Sequence, residues 1–311
     1  MEDERIILNQ FVFKEDPQEI FHEIRDIASE LIDDAKCDLL EQVFNDTNKL
    51  FRGEFEGYRA SNTNYHDFDH TIAVGLATAR LIHGGQLEGR KFSPQNTALA
   101  MIAALFHDTG LIQVEGDVKG SGAKYTIGHE ERSIAFMRQY LSKEGISDSY
   151  LDNCAHFIRC TILSLNPKEI PFVSEETETL GHIVGTADLL AQMADRIYLE
   201  KLLLLYKEFE EARLPGFESE VMLLQKTEDF FDDIAERRLS DQLGGVYKFM
   251  QTHFRERWEI DKDLYTVSIL KNIEYLKSLN MKCSDSFTCY LKNLKRGGIA
   301  DRITSRLNKK K

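Results

Sequence analysis

Pro94-Gln95-Asn96-Thr97-Ala98-Leu99-Ala100-Met101-Ile102-Ala103-Ala104-Leu105-Phe106-His107-Asp108 is the stretch on which the fold turns. It reads as a largely apolar helix over 94–106 that stops at Gly110 and delivers two adjacent ionisable side chains at its C-terminal end. Burying an imidazole and a carboxylate beside so much hydrocarbon is costly unless a partner offsets it. A divalent cation satisfies both at once, with an imidazole nitrogen and carboxylate oxygens as ligands. From Phe92 to His107 no residue is charged, but Ser93, Pro94, Gln95 and Asn96 interrupt the run and leave it short of a bilayer span.

Outward from this helix the chain keeps the same character. It has 311 residues and only five prolines, and no segment alternates with period two for long enough to suggest a strand. The fold class expected is all-α, a single large domain. Asp16-Pro17 marks a helix start and predicts a helix toward Ala35. Further helices are expected at 37–52, 66–82 (ending at His83-Gly84-Gly85), 129–143, 149–164, 177–210, 219–238, 240–256 and 261–279. Between Gly110 and Gly128 lies a glycine-rich segment, the most flexible part of the middle of the chain.

Composition narrows the function classes. Hydrophobic residues make up 42% and charged residues 29%, with a net charge of −13. That charge argues against binding a nucleic-acid polymer, which needs a cationic surface. An acidic protein that handles a small phosphorylated substrate takes its cations from elsewhere, and bound metal is the obvious source. The five cysteines, Cys37, Cys154, Cys160, Cys283 and Cys289, form no C-x-x-C pair and read as reduced thiols rather than a disulfide frame. With no apolar leader in Met1-Glu2-Asp3-Glu4-Arg5 and no membrane span, the expectation is a cytoplasmic protein without membrane association. From Lys292 to Lys311 eight basic side chains face one acid, Asp301, which fits either a solvated tail or an electrostatic arm.

Two further segments join His107 and Asp108. Upstream, Tyr65-His66-Asp67-Phe68-Asp69-His70 places His66 and His70 four apart, on one face if the segment is helical. Downstream, Val184-Gly185-Thr186-Ala187-Asp188-Leu189-Leu190-Ala191 puts a carboxylate in the middle of an apolar helix. His70, His107, Asp108 and Asp188 supply two imidazoles and two carboxylates, a set suited to Zn, Mn, Fe or Mg with positions open to water. His129 and His156 are two further candidate ligands, each equally readable as a hydrogen-bonded core histidine. Asp195 and Gln192 share a helical face with Asp188; His182 and His83 read as structural, and His22 and His253 as solvated.

In the order H…HD…D the sequence resembles the HD-domain metal-dependent phosphohydrolases. Tyr65-His66-Asp67-Phe68-Asp69-His70-Thr71 is similar to the Y-H-N-x-x-H-A motif of cyclic-nucleotide phosphodiesterases, Ala104-Leu105-Phe106-His107-Asp108 to their A-x-x-H-D, and Ala187-Asp188-Leu189 to their A-D-L. The resemblance covers roughly 58–260, which divides the chain into an N-terminal helical segment 1–57, a catalytic core 58–260, and a C-terminal helix with the basic tail, 261–311. It implies an HD/phosphodiesterase-type helical bundle in which His70, His107, Asp108 and Asp188 hold one divalent metal ion. Asp108 would bridge to a second, His66 would protonate the leaving oxygen, and a metal-held hydroxide would attack the phosphorus of a cyclic nucleotide or related phosphoester. The order His70, His107-Asp108, His129, His156, Asp188 is also that of binuclear members of the wider superfamily, which gives His129 and His156 to the second metal.

This chain departs from the phosphodiesterase pattern in two places. After His107-Asp108 it reads Thr109-Gly110-Leu111-Ile112-Gln113 where those enzymes have another histidine, and Asp241-Gln242-Leu243-Gly244-Gly245 puts Gly245 where they clamp the base with phenylalanine. Gln242 is then a candidate for substrate recognition or simply an exposed glutamine. Asp67, in place of asparagine, is a candidate to hold His66 or a water; Lys119, Lys124 and Arg159 are candidates for a second phosphate, with 110–128 either a mobile lid or a plain surface loop with solvated lysines. Three alternatives stay open: a nucleotidase or other phosphomonoesterase, a diiron oxygenase using both His129 and His156, and a non-catalytic ligand-binding module.

Overall fold

The computed structural model describes residues 7–12 and 16–308, so the acidic pentapeptide at the start and the last three lysines lie outside the described residues. Among those residues the architecture is all-helical. In chain order the helices are α1 (Asn9–Val12), α2 (Pro17–Ser29), α3 (Asp34–Arg52), α4 (Phe68–Leu87), α5 (Pro94–Phe106), α6 (His129–Lys143) and α7 (Asp148–Arg159). They continue with α8 (Glu175–Ala194), α9 (Tyr198–Ala212), α10 (Glu220–Asp233), α11 (Phe249–Trp258), α12 (Leu264–Cys283), α13 (Phe287–Asn293) and α14 (Ile299–Asn308). The β pairing among them is one isolated antiparallel bridge, Tyr58 with Val114. Among the described residues no helix is long and apolar enough to cross a membrane.

Three helices that are apolar on nearly every face, α4, α5 and α8, pack on one another at the centre. In α5 every side chain from Asn96 to Phe106 is buried. Its start is set by Ser93, whose side chain accepts from the Asn96 N–H, with Pro94 beside it. α8 opens with a reciprocal cap between Ser174 and Thr177. Around this trio lie the amphipathic helices: α2 on α4, α3 on α5, α7 on α5 and α8, α11 on α4 and α12 on α8. One apolar cluster runs from Leu8 to Ala300 and takes side chains from before residue 57 and after residue 260, so all three stretches of the chain share a core.

Several local expectations are corrected. α2 ends at Ser29, and the segment expected as one helix over 177–210 breaks between Ala194 and Tyr198, where Asp195 turns extended (ψ 130°) and its carboxylate accepts from the Ile197 N–H at 2.9 Å. α4 does not stop at His83-Gly84-Gly85. A Cβ on Gly84 would sit 2.0 Å from the Phe249 carbonyl oxygen, so this glycine admits α11 at close range rather than ending the helix. His83 is therefore buried in mid-helix, its Nδ1 3.0 Å from Nδ1 of His253, which is itself fully buried and not solvated. α10 passes into a π-helical turn, Ile234–Gln242.

Cysteine pairing also differs from expectation. Cys37, Cys154 and Cys160 are free and buried, but Cys283 and Cys289 form a disulfide. α12 ends at Cys283, the chain reverses at Ser284 (φ 46°), and α13 brings Cys289 back alongside at a Cα–Cα distance of 5.3 Å.

Candidate metal centre

The centre is assembled where α4 begins, α5 ends and α8 passes beneath both. Asp67 caps α4, its Oδ1 accepting from the His70 N–H at 2.9 Å, which fixes His70 in the first turn. At the end of α5 the His107 Nδ1 lies 2.7 Å from the Ala104 carbonyl and donates to it, so the Nε2 lone pair is free to ligate. The turn that follows is locked onto α6. Ser133 Oγ accepts from the Gly110 N–H at 2.8 Å and donates to the His107 carbonyl at 2.6 Å. A Cβ on Gly110 would lie 1.9 Å from the His129 carbonyl oxygen, a contact only glycine permits. That close approach presents His129, at the head of α6, to Asp108.

The four predicted first-metal ligands converge. His70, His107 and Asp108 are buried and offer ligand atoms all within 4.8 Å of one another. His70 Nε2 is 3.4 Å from His107 Nε2 and 3.6 Å from Asp108 Oδ2, which is 3.3 Å from His107 Nε2. Asp188 Oδ1 adds a fourth atom, 3.2 Å from His70 Nε2 and 3.8 Å from His107 Nε2. An ion held at about 2.0–2.2 Å from nitrogen and oxygen ligands needs neighbouring ligand atoms roughly 3–3.5 Å apart, close to this spacing. The donor chemistry agrees. Asp108 Oδ2 is buried without a hydrogen-bond partner, and the Nε2 atoms of His70 and His107 face each other at 3.4 Å.

Asp108 also has a second face. Its Oδ1 lies 3.2 Å from His129 Nε2, and His129 Nδ1 donates to the Thr126 carbonyl at 2.9 Å. Geometrically, Asp108 and His129 are placed to share a second ion. His156 is not. It lies on α7 with its ring 5.7 Å from that of Phe172 and its Nδ1 buried without a partner, and no contact joins it to Asp108 or His129. The amphipathic α7 turns it toward Phe172 instead.

The electrostatics state the same demand for positive charge. Burial alone would push the His107 imidazole down, but the Asp108 and Asp188 carboxylates raise it to about 9. His129 is raised against its burial by Asp108. Asp108 itself, despite burial, is held well below the usual carboxylate range by His107, His66 and His129.

Beside the cluster, His66 is gripped by a residue that sequence reading did not single out. Glu208, on α9 and 4% exposed, has Oε2 2.6 Å from His66 Nδ1. Its Oε1 accepts from the Asn64 and Tyr65 N–H groups at 2.7 Å each. Burial lowers the His66 pKa, but Asp108 and Glu208 raise it to about 9. In the sequence Glu208 sits in the acidic run Glu208-Phe209-Glu210-Glu211, where nothing sets it apart. Tyr65 OH donates to Gln192 Oε1 at 2.7 Å, and Gln192 Nε2 reaches Asp188 Oδ1 at 3.5 Å, so Gln192 steadies the fourth ligand.

The remaining candidates have other tasks. Asp67 caps α4 and leaves His66 to Glu208. Gln242 accepts from Arg238 Nη1 at 3.2 Å, and Arg238 in turn ties down the Cys160, Ile162 and Leu165 carbonyls. No hydrogen bond joins Gln242 to the cluster. Arg159 pairs with Glu131 at 2.8 Å, Lys124 with Asp117 at 2.6 Å, and Asp195 with Lys201 at 3.0 Å. The 110–128 segment is fastened: Asp117 also accepts from Tyr125 OH, Gln113 Nε2 donates to the Asp117 and Lys119 carbonyls, and Arg132 lies 3.7 Å over the Tyr125 ring.

No curated protein matches this chain. A family model does match, over residues 52–246, more than half of the chain and all of the centre just described; the chain belongs to the Npun_R2479-like family.

Proposed function

We propose that the protein is a metal-dependent phosphohydrolase of the HD type, acting on a small phosphoester and most suited to a phosphodiester such as a cyclic nucleotide. The observation that carries the reading is Asp108 Oδ2, a buried carboxylate oxygen without a hydrogen-bond partner, 3.3 and 3.6 Å from two imidazole nitrogens. A divalent cation held by His70, His107, Asp108 and Asp188 supplies Lewis acidity for activating water and neutralising phosphoryl oxygen. A second, on Asp108 and His129, would have few protein ligands and many open positions.

The chain's own residues do the rest. Asp108 and Asp188 neutralise the cationic charge that a phosphoester must approach. His66 stands at the edge of the cluster, its ring centroid 6.2 Å from that of His70 and 6.1 Å from that of His129. With Nδ1 bound to Glu208, only Nε2 faces the reaction and can give a proton to the departing oxygen. Such a donor matters most for a poor leaving group such as an alkoxide, which a cyclic nucleotide presents. The dinuclear-iron oxygenase reading, which takes His156 as a ligand, has less support because His156 stands apart.

The test is elemental analysis of the purified protein joined to a hydrolysis panel of cyclic nucleotides, cyclic dinucleotides and nucleoside mono- and triphosphates. The expected result is bound transition metal, phosphoester cleavage by the wild type, and loss of both in Asp108→Asn. Metal-replete protein that cleaves none of the panel, or that takes up oxygen without releasing phosphate, would overturn the reading.

A further inference from the structure

A cleft of about 620 Å³ opens between the start of α4, the α8–α9 turn and α14. Of the four candidate ligands only His70 lines it, together with Asp67, Tyr65 and Gln192, which brace the centre. Its volume is that of a small-molecule site. Its lining is apolar at Ile20, Ala73, Leu204 and Ile303, and its charged groups are five cations against three acids, Asp67, Asp69 and Asp195.

The cations differ in their engagement. Lys201 is paired with Asp195 at 3.0 Å, and Lys207 with Glu220 at 3.1 Å. Arg196, Arg302 and Arg306 line the same cleft, and none of them has an ion pair or hydrogen bond with a described residue. All three are exposed, so their guanidinium groups are free to meet a ligand in the cleft. The fold also places them with care. Glu200, 2% exposed, accepts from the Gly297 N–H at 2.6 Å and the Ile299 N–H at 2.9 Å. A buried carboxylate at the head of α14 thus fixes the helix that carries Arg302 and Arg306 over the cleft.

We propose that this cleft is a second ligand site, for a phosphate-bearing small molecule with an apolar body. Planar guanidinium groups match phosphate oxygens in paired, charge-assisted hydrogen bonds, and a multiply charged phosphate is the ligand that three such groups hold best. The apolar lining covers the uncharged part. Nucleic acid does not fit a chain of net charge −13.

The test is calorimetric titration of the full chain with inorganic tripolyphosphate, both as purified and after chelator treatment and dialysis, with citrate as a second probe. One tripolyphosphate should bind per chain, binding should survive chelation, and it should weaken about tenfold or more in Arg302→Gln/Arg306→Gln. Arg196→Gln, outside α14, should weaken it in the same direction, which separates loss of charge from displacement of the helix. No saturable binding, binding unchanged in both variants, or tighter binding of citrate would overturn the proposal. Binding that vanishes on chelation would assign the probe to the metal centre and overturn it too, without bearing on whether that centre hydrolyses phosphoesters.

Discussion

Glu208 Oε2 stands 2.6 Å from His66 Nδ1 while Oε1 of the same carboxylate accepts from the backbone of Asn64 and Tyr65. A single buried side chain from α9 thereby holds both an imidazole and the turn that carries it, so its charge and its shape can be tested apart.

Glu208→Gln keeps an oxygen for the two N–H groups but presents an amide donor to His66 Nδ1 and removes a negative charge. Turnover should fall about 100-fold, within the range for a mispositioned general acid, while metal content and fold stay as in the wild type. Because Glu208 raises the His66 pKa, its loss lowers it, and the alkaline limb of the pH–rate profile should move to lower pH. Equal turnover at every pH would remove His66 from the reaction.

Gly110→Ala addresses how the turn after Asp108 is seated. Its Cβ would collide with the His129 carbonyl, and α6 must move. We expect destabilisation of about 1–3 kcal/mol from overpacking, read from denaturant unfolding, and a drop in the metal content of the folded protein as His129 leaves Asp108. A variant with wild-type stability and metal content would show that α6 is free to shift.

His182 gives a pH signature away from the centre. Burial, with Arg238 and Lys168 nearby, lowers its pKa from 6.5 to about 4. Between those values the unfolded chain takes a proton that the folded chain refuses, so stability falls as pH drops from 6.5 toward 4, by about 2–3 kcal/mol at most from this residue. His182→Leu should flatten that acid slope with stability at pH 7.5 little changed, measured by urea unfolding at a series of pH values. An unaltered slope would place the acid sensitivity in another group, His253 being the next buried imidazole.

The sequence is most legible where one residue has one task. The bounds of α5 and α6 are readable because Pro94 opens a run of apolar residues and Gly128 closes the glycine-rich stretch just before His129, and His107, Asp108 and Asp188 stand out because each is an ionisable group beside hydrocarbon, with His70 found by its spacing from His66. Gly84-Gly85 misleads because glycine both ends helices and lets them touch, and only the position of Phe249 tells which. His156 misleads because residue type and order do not show which way an amphipathic helix faces. Glu208 is hidden because a carboxylate in an acidic run looks solvated until α9 is docked. Cys283 and Cys289 pair only because Ser284 reverses the chain.

The stacked rings of Phe21 and Phe44, 4.2 Å apart, join α2 and α3 into a plate that shields α4 and α5 from water. The portion shared with the family begins at residue 52, downstream of that plate, and stops before α11 and α12, which shield α4 and α8. Excised alone, that portion would bare the greasiest surfaces of its own three central rods and clump rather than dissolve. The matched stretch thus holds the candidate centre and its immediate supports, whereas the wrapping that keeps it dry is supplied by neighbouring sequence.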